Sequence, residues 1–174
     1  MSSKNNLRKL VTIALLLAIG MVLYQITPPF VMGMRPNFLL AMMFIAIILA
    51  DDYKLTILIG LVSGIYCAII STFPGGQVGN IVDKLITCQV VFLMFRAMKN
   101  RVPKQIMVAI IGFVCTAVSG TVFLIVASIV AGLPSTFTAL VLSVVVPATI
   151  INTVVSIILY NAVNVSLKYS GTYR

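Results

Sequence analysis

Six continuous apolar runs separated by short polar stretches organise this chain. They cover approximately residues 8–24, 37–50, 55–72, 80–96, 106–131 and 137–165. The separators read "QITPPFVMGMRP", "DDYK", "FPGGQVG", "MKNRVPK" and "GLPST"; they are rich in the proline, glycine and charge that interrupt helices. A helix crosses about 30 Å of hydrocarbon with roughly 20 mostly apolar residues, whereas a membrane barrel would show short alternating segments. The pattern predicts an all-α integral membrane protein, a bundle of six transmembrane helices. The second run is short for a span, and tilt or local thinning of the bilayer would accommodate it. Residues 1–174 are expected to form one membrane domain, since no separator is long enough to link a second. No internal repeat stands out, although three plus three helices leaves a weak inverted repeat open.

Composition supports the same class. Hydrophobic residues make up 61% of the chain and charged residues 9%, with no His and no Trp, and the mean hydropathy is +1.17; a water-soluble domain with a polar shell does not have these proportions. Charge then sets orientation. With the N- and C-termini cytoplasmic, Lys4, Arg8, Lys9, Lys54, Arg96, Lys99, Arg101, Lys104, Lys168 and Arg174 fall at the inner side, and only Arg35 and Lys84 fall outside. The net charge of +9 therefore reads as topology and attraction to anionic head groups of the bilayer, with no nucleic-acid partner. After the first run comes "YQITPPF" instead of a small-residue cleavage site, so this run is read as a retained membrane helix.

Most chemistry is excluded by what the chain lacks. Metal-assisted hydrolysis needs clustered His, Cys or carboxylates, nucleophilic catalysis needs a base beside the nucleophile, and a P-loop needs GxxxxGK followed by Ser or Thr. None of these patterns is present, so no enzyme activity, metal or cofactor is expected. Cys67, Cys88 and Cys115 lie in apolar runs without a CxxC, and packing is their default role. Asp51 and Asp52 precede the third run and read as cap and first-turn charge for that helix. "NVS" at Asn164–Ser166 matches a glycosylation pattern but falls at the cytoplasmic end of the last run.

What remains is polar and lies on the outer side. Arg35 closes the loop after the first run; Gln77, Asn80, Asp83 and Lys84 open the fourth, with Thr87 one turn deeper. Charges within a span persist when paired, facing water, or serving a ligand. Asn80, Asp83, Lys84 and Thr87 stand at helical spacings of three and four, near one face. Adjacent Asp83 and Lys84 point about 100° apart, which predicts a separate partner for each. Two readings follow. In one, Asp83 favours a helix N-terminus, Lys84 snorkels outward and Arg35 meets lipid phosphate. In the other, the cluster is a pocket in which cations clamp a carboxylate and the acid meets an ammonium.

Deeper groups extend the second reading. Pro147 would free the carbonyl of Ser143, and Asn152, Thr153, Ser119 and Thr121 bring polar atoms towards mid-membrane, as a cavity floor or as interhelical hydrogen bonds. The loop "ITPPFVMGMRPN", with apolar Phe30, Val31, Met32 and Met34, would suit a lid. Tyr24, Phe38, Tyr66, Phe73, Phe123 and Phe137 would wall an aromatic ligand or form an interfacial belt. Ala14 and Ala18 make a small-xxx-small pair on a stripe with Leu7 and Val11, while Gly60 with Gly64, Ala46 with Ala50 and Ala127 with Ala131 share that spacing.

Taken together, "ALLLA" in a basic-flanked first helix, "PPFVMGMRPN", "FPGGQVGNIVDK", "SGTVFL" and "IINT" resemble the substrate-binding S components of energy-coupling factor (ECF) transporters, the tryptophan transporter group above all. Where that group's loop reads "GMKPD", this chain has Arg35 and Asn37, keeping the positive charge and not the acid. The resemblance implies a six-helix subunit of the cell membrane that captures tryptophan, or a related aromatic zwitterion, from outside under the loop. It implies Arg35, Asn37, Tyr66, Phe73, Gln77, Asn80, Asp83, Lys84, Asn152 and Thr153 around the substrate. It further implies that Ala14 and Ala18 contact a transmembrane coupling subunit, that two ATPase subunits supply the energy, and that the docked subunit topples in the membrane. A self-sufficient carrier or channel is the rival class, as is an S component for another amino acid or vitamin.

Overall fold

The computed structural model describes residues 3–28 and 37–169. Five helices, α1 (Ser3–Ile26), α2 (Phe38–Ala50), α3 (Tyr53–Ile70), α4 (Gly76–Met98) and α5 (Lys104–Ala131), precede a last span built in three parts. These parts are α6 (Phe137–Leu140), a π-helical turn (Val141–Val145) and α7 (Val146–Tyr169). Five helical stretches, Asn6–Ile26, α3, α4, α5 and Phe137–Tyr169, are long and apolar enough to cross a membrane. No strand occurs among the described residues.

The exception is α2, whose 13 residues reach only about 20 Å at 1.5 Å per residue. It needs neither tilt nor a thinned bilayer, because it does not face lipid. Leu39, Ala41, Met43, Ile45, Ala46 and Ile47 are all fully buried, and α1, α3, α4, α5 and α7 pack around it. A helix apolar on every side must be kept from water all round, by lipid or by other helices, and here the neighbouring helices do it. The core follows from this: Leu39, Met43, Phe44 and Ile47 of α2 meet Val91 and Phe95 of α4 and Met107 and Ile111 of α5. On the other flank Met42 and Ile45 pack with Leu16, Val108 and Tyr160.

Close helix approach depends on small residues. A Cβ at Gly60 would lie 2.5 Å from the Cys88 sulfur and 3.0 Å from the Lys84 carbonyl oxygen, so α3 reaches α4 there only because no side chain intervenes. Gly75, at φ 68°, turns the chain left-handed just before α4, a conformation that favours glycine. The tightly paired backbones hold the first turns of α4 in place.

At the inner end the two acids divide their work. Asp52 caps α3, its side chain accepting the Leu55 N–H at 2.9 Å. Asp51, read from sequence as a second charge for that helix, instead caps the end of α2 at φ 44°. Its carboxylate pairs with Lys99, and Arg96 Nε lies 3.7 Å away. The left-handed turn swings Asp51 out of line with α3 and towards the basic end of α4. On α1, Ala14 and Ala18 are exposed, beside exposed Leu7 and Val11.

Candidate functional site

The outer half of the bundle encloses a cavity of about 370 Å³, a size common for small-molecule sites. Its wall is aromatic and aliphatic, formed by Tyr24, Ile70, Phe73, Phe123, Leu140 and Val144. Phe73 and Phe123 meet edge to face, ring centres 5.3 Å apart at 62°. Proline shapes the far side. Pro147 has no N–H to offer Ser143, four residues back, and the helix just before it widens into the π turn whose Val144 and Val145 line the cavity. The Ser143 hydroxyl donates to the Ala139 carbonyl at 2.6 Å.

The floor is polar and its charges are paired. Asp83 and Lys84, 1% and 2% exposed, form a buried ion pair. Ser119 donates to Asp83 Oδ2 at 2.9 Å, Thr87 donates to Asp83 Oδ1 at 2.9 Å, and Lys84 Nζ lies 3.4 Å from Ser119 Oγ. This corrects the expectation that the two neighbours need separate partners. The lysine stem is long enough to fold back across 100° of helix, and in a low-dielectric interior an unpaired charge is worse than a bent side chain.

Amides complete the floor. Asn152 Oδ1 accepts the backbone N–H of Asn37 at 2.8 Å, and the Asn37 side chain caps α2 by accepting the Leu40 N–H at 2.9 Å. The start of α2 is thus fastened to α7. Asn80 Nδ2 donates to the Gly76 carbonyl at 2.7 Å, which leaves its own oxygen for the cavity.

Asn37, Phe73, Asn80, Asp83, Lys84 and Asn152, all expected from sequence, line this one cavity. Three others do not. Tyr66 donates its hydroxyl to Gln25 Oε1 at 2.8 Å and ties α3 to α1. Gln77 is exposed, because seven residues place it about 10 Å further out along α4 than Lys84. Thr153 donates to the Thr149 carbonyl at 2.7 Å, and its α-carbon packs 3.3 Å from where a Gly112 side chain would begin. Arg35, with Phe30, Val31, Met32 and Met34 of the loop, lies outside the described residues.

The cavity also holds residues that sequence reasoning passed over. Thr116 stands one turn before Ser119 on α5, and its buried hydroxyl has no hydrogen-bond partner among the described residues. Cys67 of α3 and Leu40 of α2 close the inner side. The three-residue spacing to Ser119 was the signal for Thr116; nothing local marked the other two.

A multi-pass helical bundle built around an outward-placed cavity, aromatic above and charged below, is the form of a solute-binding membrane transport protein. This chain belongs to the tryptophan transporter TrpP family, whose model matches residues 6–168. It is 48% identical over 163 residues to a probable tryptophan transport protein of Clostridium acetobutylicum, covering 94% of this chain and 95% of the relative. A probable tryptophan transport protein of Clostridium perfringens is 45% identical over 178 residues, 97% of each chain. One from Bacillus subtilis is 41% identical over 167 residues, 94% of this chain and 95% of that protein. No solved structure matches significantly. The chain is therefore a multi-pass transport protein of the cell membrane and not an enzyme.

Proposed function

We propose that this chain takes up tryptophan as the substrate-capturing subunit of an ECF-type transporter, with ATP hydrolysed by partner subunits. The observation that carries the reading is the buried Asp83–Lys84 pair beneath an aromatic-walled cavity. A free amino acid is a zwitterion, and these two side chains present the complementary charges side by side. Lys84 receives the carboxylate, joined by Arg35 from the loop, and Asp83 receives the ammonium. The indole lies against Phe73, Phe123 and Tyr24. Asn37, Asn80 and Asn152 supply the remaining polar contacts, while Gln77 stands at the outer mouth.

Support for an external energy source comes from two features. The chain has no phosphate-binding loop, and its first helix presents exposed Ala14 and Ala18 on an apolar stripe, where a coupling subunit can approach closely. Two measurements test the proposal. Purified protein is titrated with tryptophan, and saturable binding is expected; no binding removes the substrate assignment. Uptake of labelled tryptophan is then followed with and without the partner ATPases. Uptake is expected to stop without them while binding persists; continued uptake would establish a self-sufficient carrier instead.

A further inference from the structure

A second cavity, of about 480 Å³, opens at the inner end of the bundle between α2, α4, α5 and α7. Its apolar walls include Ile48, Leu49, Met107 and Leu167, and its charged groups are one acid, Asp51, against three lysines, Lys99, Lys104 and Lys168. Asp51 is already paired with Lys99 and flanked by Arg96. Lys104 and Lys168 are exposed and form no ion pair among the described residues. Among the described residues, the cavity therefore carries an uncompensated positive charge.

Two features show that an anion, and not merely a basic surface, suits this place. Lys104 is the first residue of α5, and no side chain caps that helix start. A cation beside the positive end of a helix dipole is unfavourable by itself and becomes favourable when an anion bridges the lysine and the free N–H groups. Further in, Tyr160 is only 3% exposed, lines the cavity, and makes no hydrogen bond among the described residues. Buried phenols usually find a partner, and this residue lines the open volume. Eight residues of α7 separate Tyr160 from Lys168, about 12 Å along the helix axis.

We propose that the inner cavity binds the phosphodiester headgroup of an anionic membrane lipid. The phosphate sits between Lys104, Lys168 and the start of α5, at the level of the inner head groups. Tyr160 donates to a glycerol or ester oxygen below it. The apolar walls and the volume exceed what a bare phosphate ion fills, and the bilayer supplies the anion at high local concentration.

The full-length protein in detergent is titrated with phosphatidylglycerol and with phosphatidylcholine of the same acyl chains, and bound lipid is counted by native mass spectrometry. Phosphatidylglycerol is expected to bind at least tenfold more tightly. Lys104→Gln with Lys168→Gln should weaken it about thirtyfold, following the contribution of each surface cation. Tyr160→Phe should weaken it about threefold to tenfold, as loss of one hydrogen bond does. Because the hydroxyl has no partner among the described residues, that variant should keep wild-type thermal stability and tryptophan binding. Equal binding of the two lipids, or unchanged phosphatidylglycerol affinity in both variants, overturns the proposal. Displacement of the lipid by millimolar inorganic phosphate overturns it too, by making the site one for free anions.

Discussion

Removing the charges of Asp83 and Lys84 one at a time, and then together, separates their part in stability from their part in binding. Both side chains are buried and paired, so deleting either partner strands the other charge. The expected loss is about 3–5 kcal/mol of stability for each single change. The two losses should not be equal. With Lys84→Met, Asp83 keeps hydroxyl donors from Thr87 and Ser119, each at 2.9 Å. With Asp83→Asn, the Lys84 ammonium loses its counter-charge and keeps only neutral acceptors among the described residues, the new amide oxygen and Ser119 at 3.4 Å. Asp83→Asn should therefore be the more damaging. The double variant holds no stranded charge and should return to within about 1 kcal/mol of wild type. Binding should behave in the opposite way. Two charge-assisted hydrogen bonds, roughly 1.5–3 kcal/mol each, correspond to about two to four orders of magnitude in Kd. Unfolding in mixed micelles gives the stabilities. Affinity is read from ligand emission, since the chain contains no Trp and every indole signal belongs to the ligand. A double variant that binds tryptophan within threefold of wild type would refute the zwitterion reasoning; singles as stable as the double would refute the desolvation argument.

Three further changes address other parts of the molecule. Gly60→Ala places a methyl group 2.5 Å from the Cys88 sulfur and 3.0 Å from backbone, and should destabilise by about 1–3 kcal/mol, measured as a lowered midpoint of thermal unfolding. Thr116→Val replaces a buried hydroxyl that has no partner among the described residues by a methyl group of the same shape. Its stability should equal or exceed that of wild type, and a fall in tryptophan affinity with no loss of stability would assign that hydroxyl to the ligand. Ala14→Trp enlarges the exposed face of α1 and should block uptake while leaving binding in detergent unchanged. Normal uptake by that variant would remove α1 as the docking face.

The bundle was legible along the chain because each span must bury its own backbone hydrogen bonds in hydrocarbon, so every span announces itself as a continuous apolar run. The run over residues 106–131, for example, becomes α5 with its end at Ala131 unchanged. The short second run was visible too, yet its meaning was not. Only the packing shows that Phe38–Ala50 is an inner helix wrapped by the others, since apolar side chains look alike whether they meet lipid or protein. Half of the cavity floor was readable as polar residues at helical spacing at the outer end of α4. Cys67, Leu40 and Thr116 were not, because they come from three other helices whose relative rotation no local pattern encodes.

By itself, then, the sequence determined the class, the six apolar helical runs, and the unusual pair at positions 83 and 84. Tertiary structure alone decided that Lys84 turns back onto Asp83, that Ser119 and Thr87 complete the pair, and that Tyr66 and Thr153 face other helices. The division has a physical cause. Transfer into a bilayer is a sum over residues taken one by one, whereas pairing and cavity shape depend on which faces of separate helices meet.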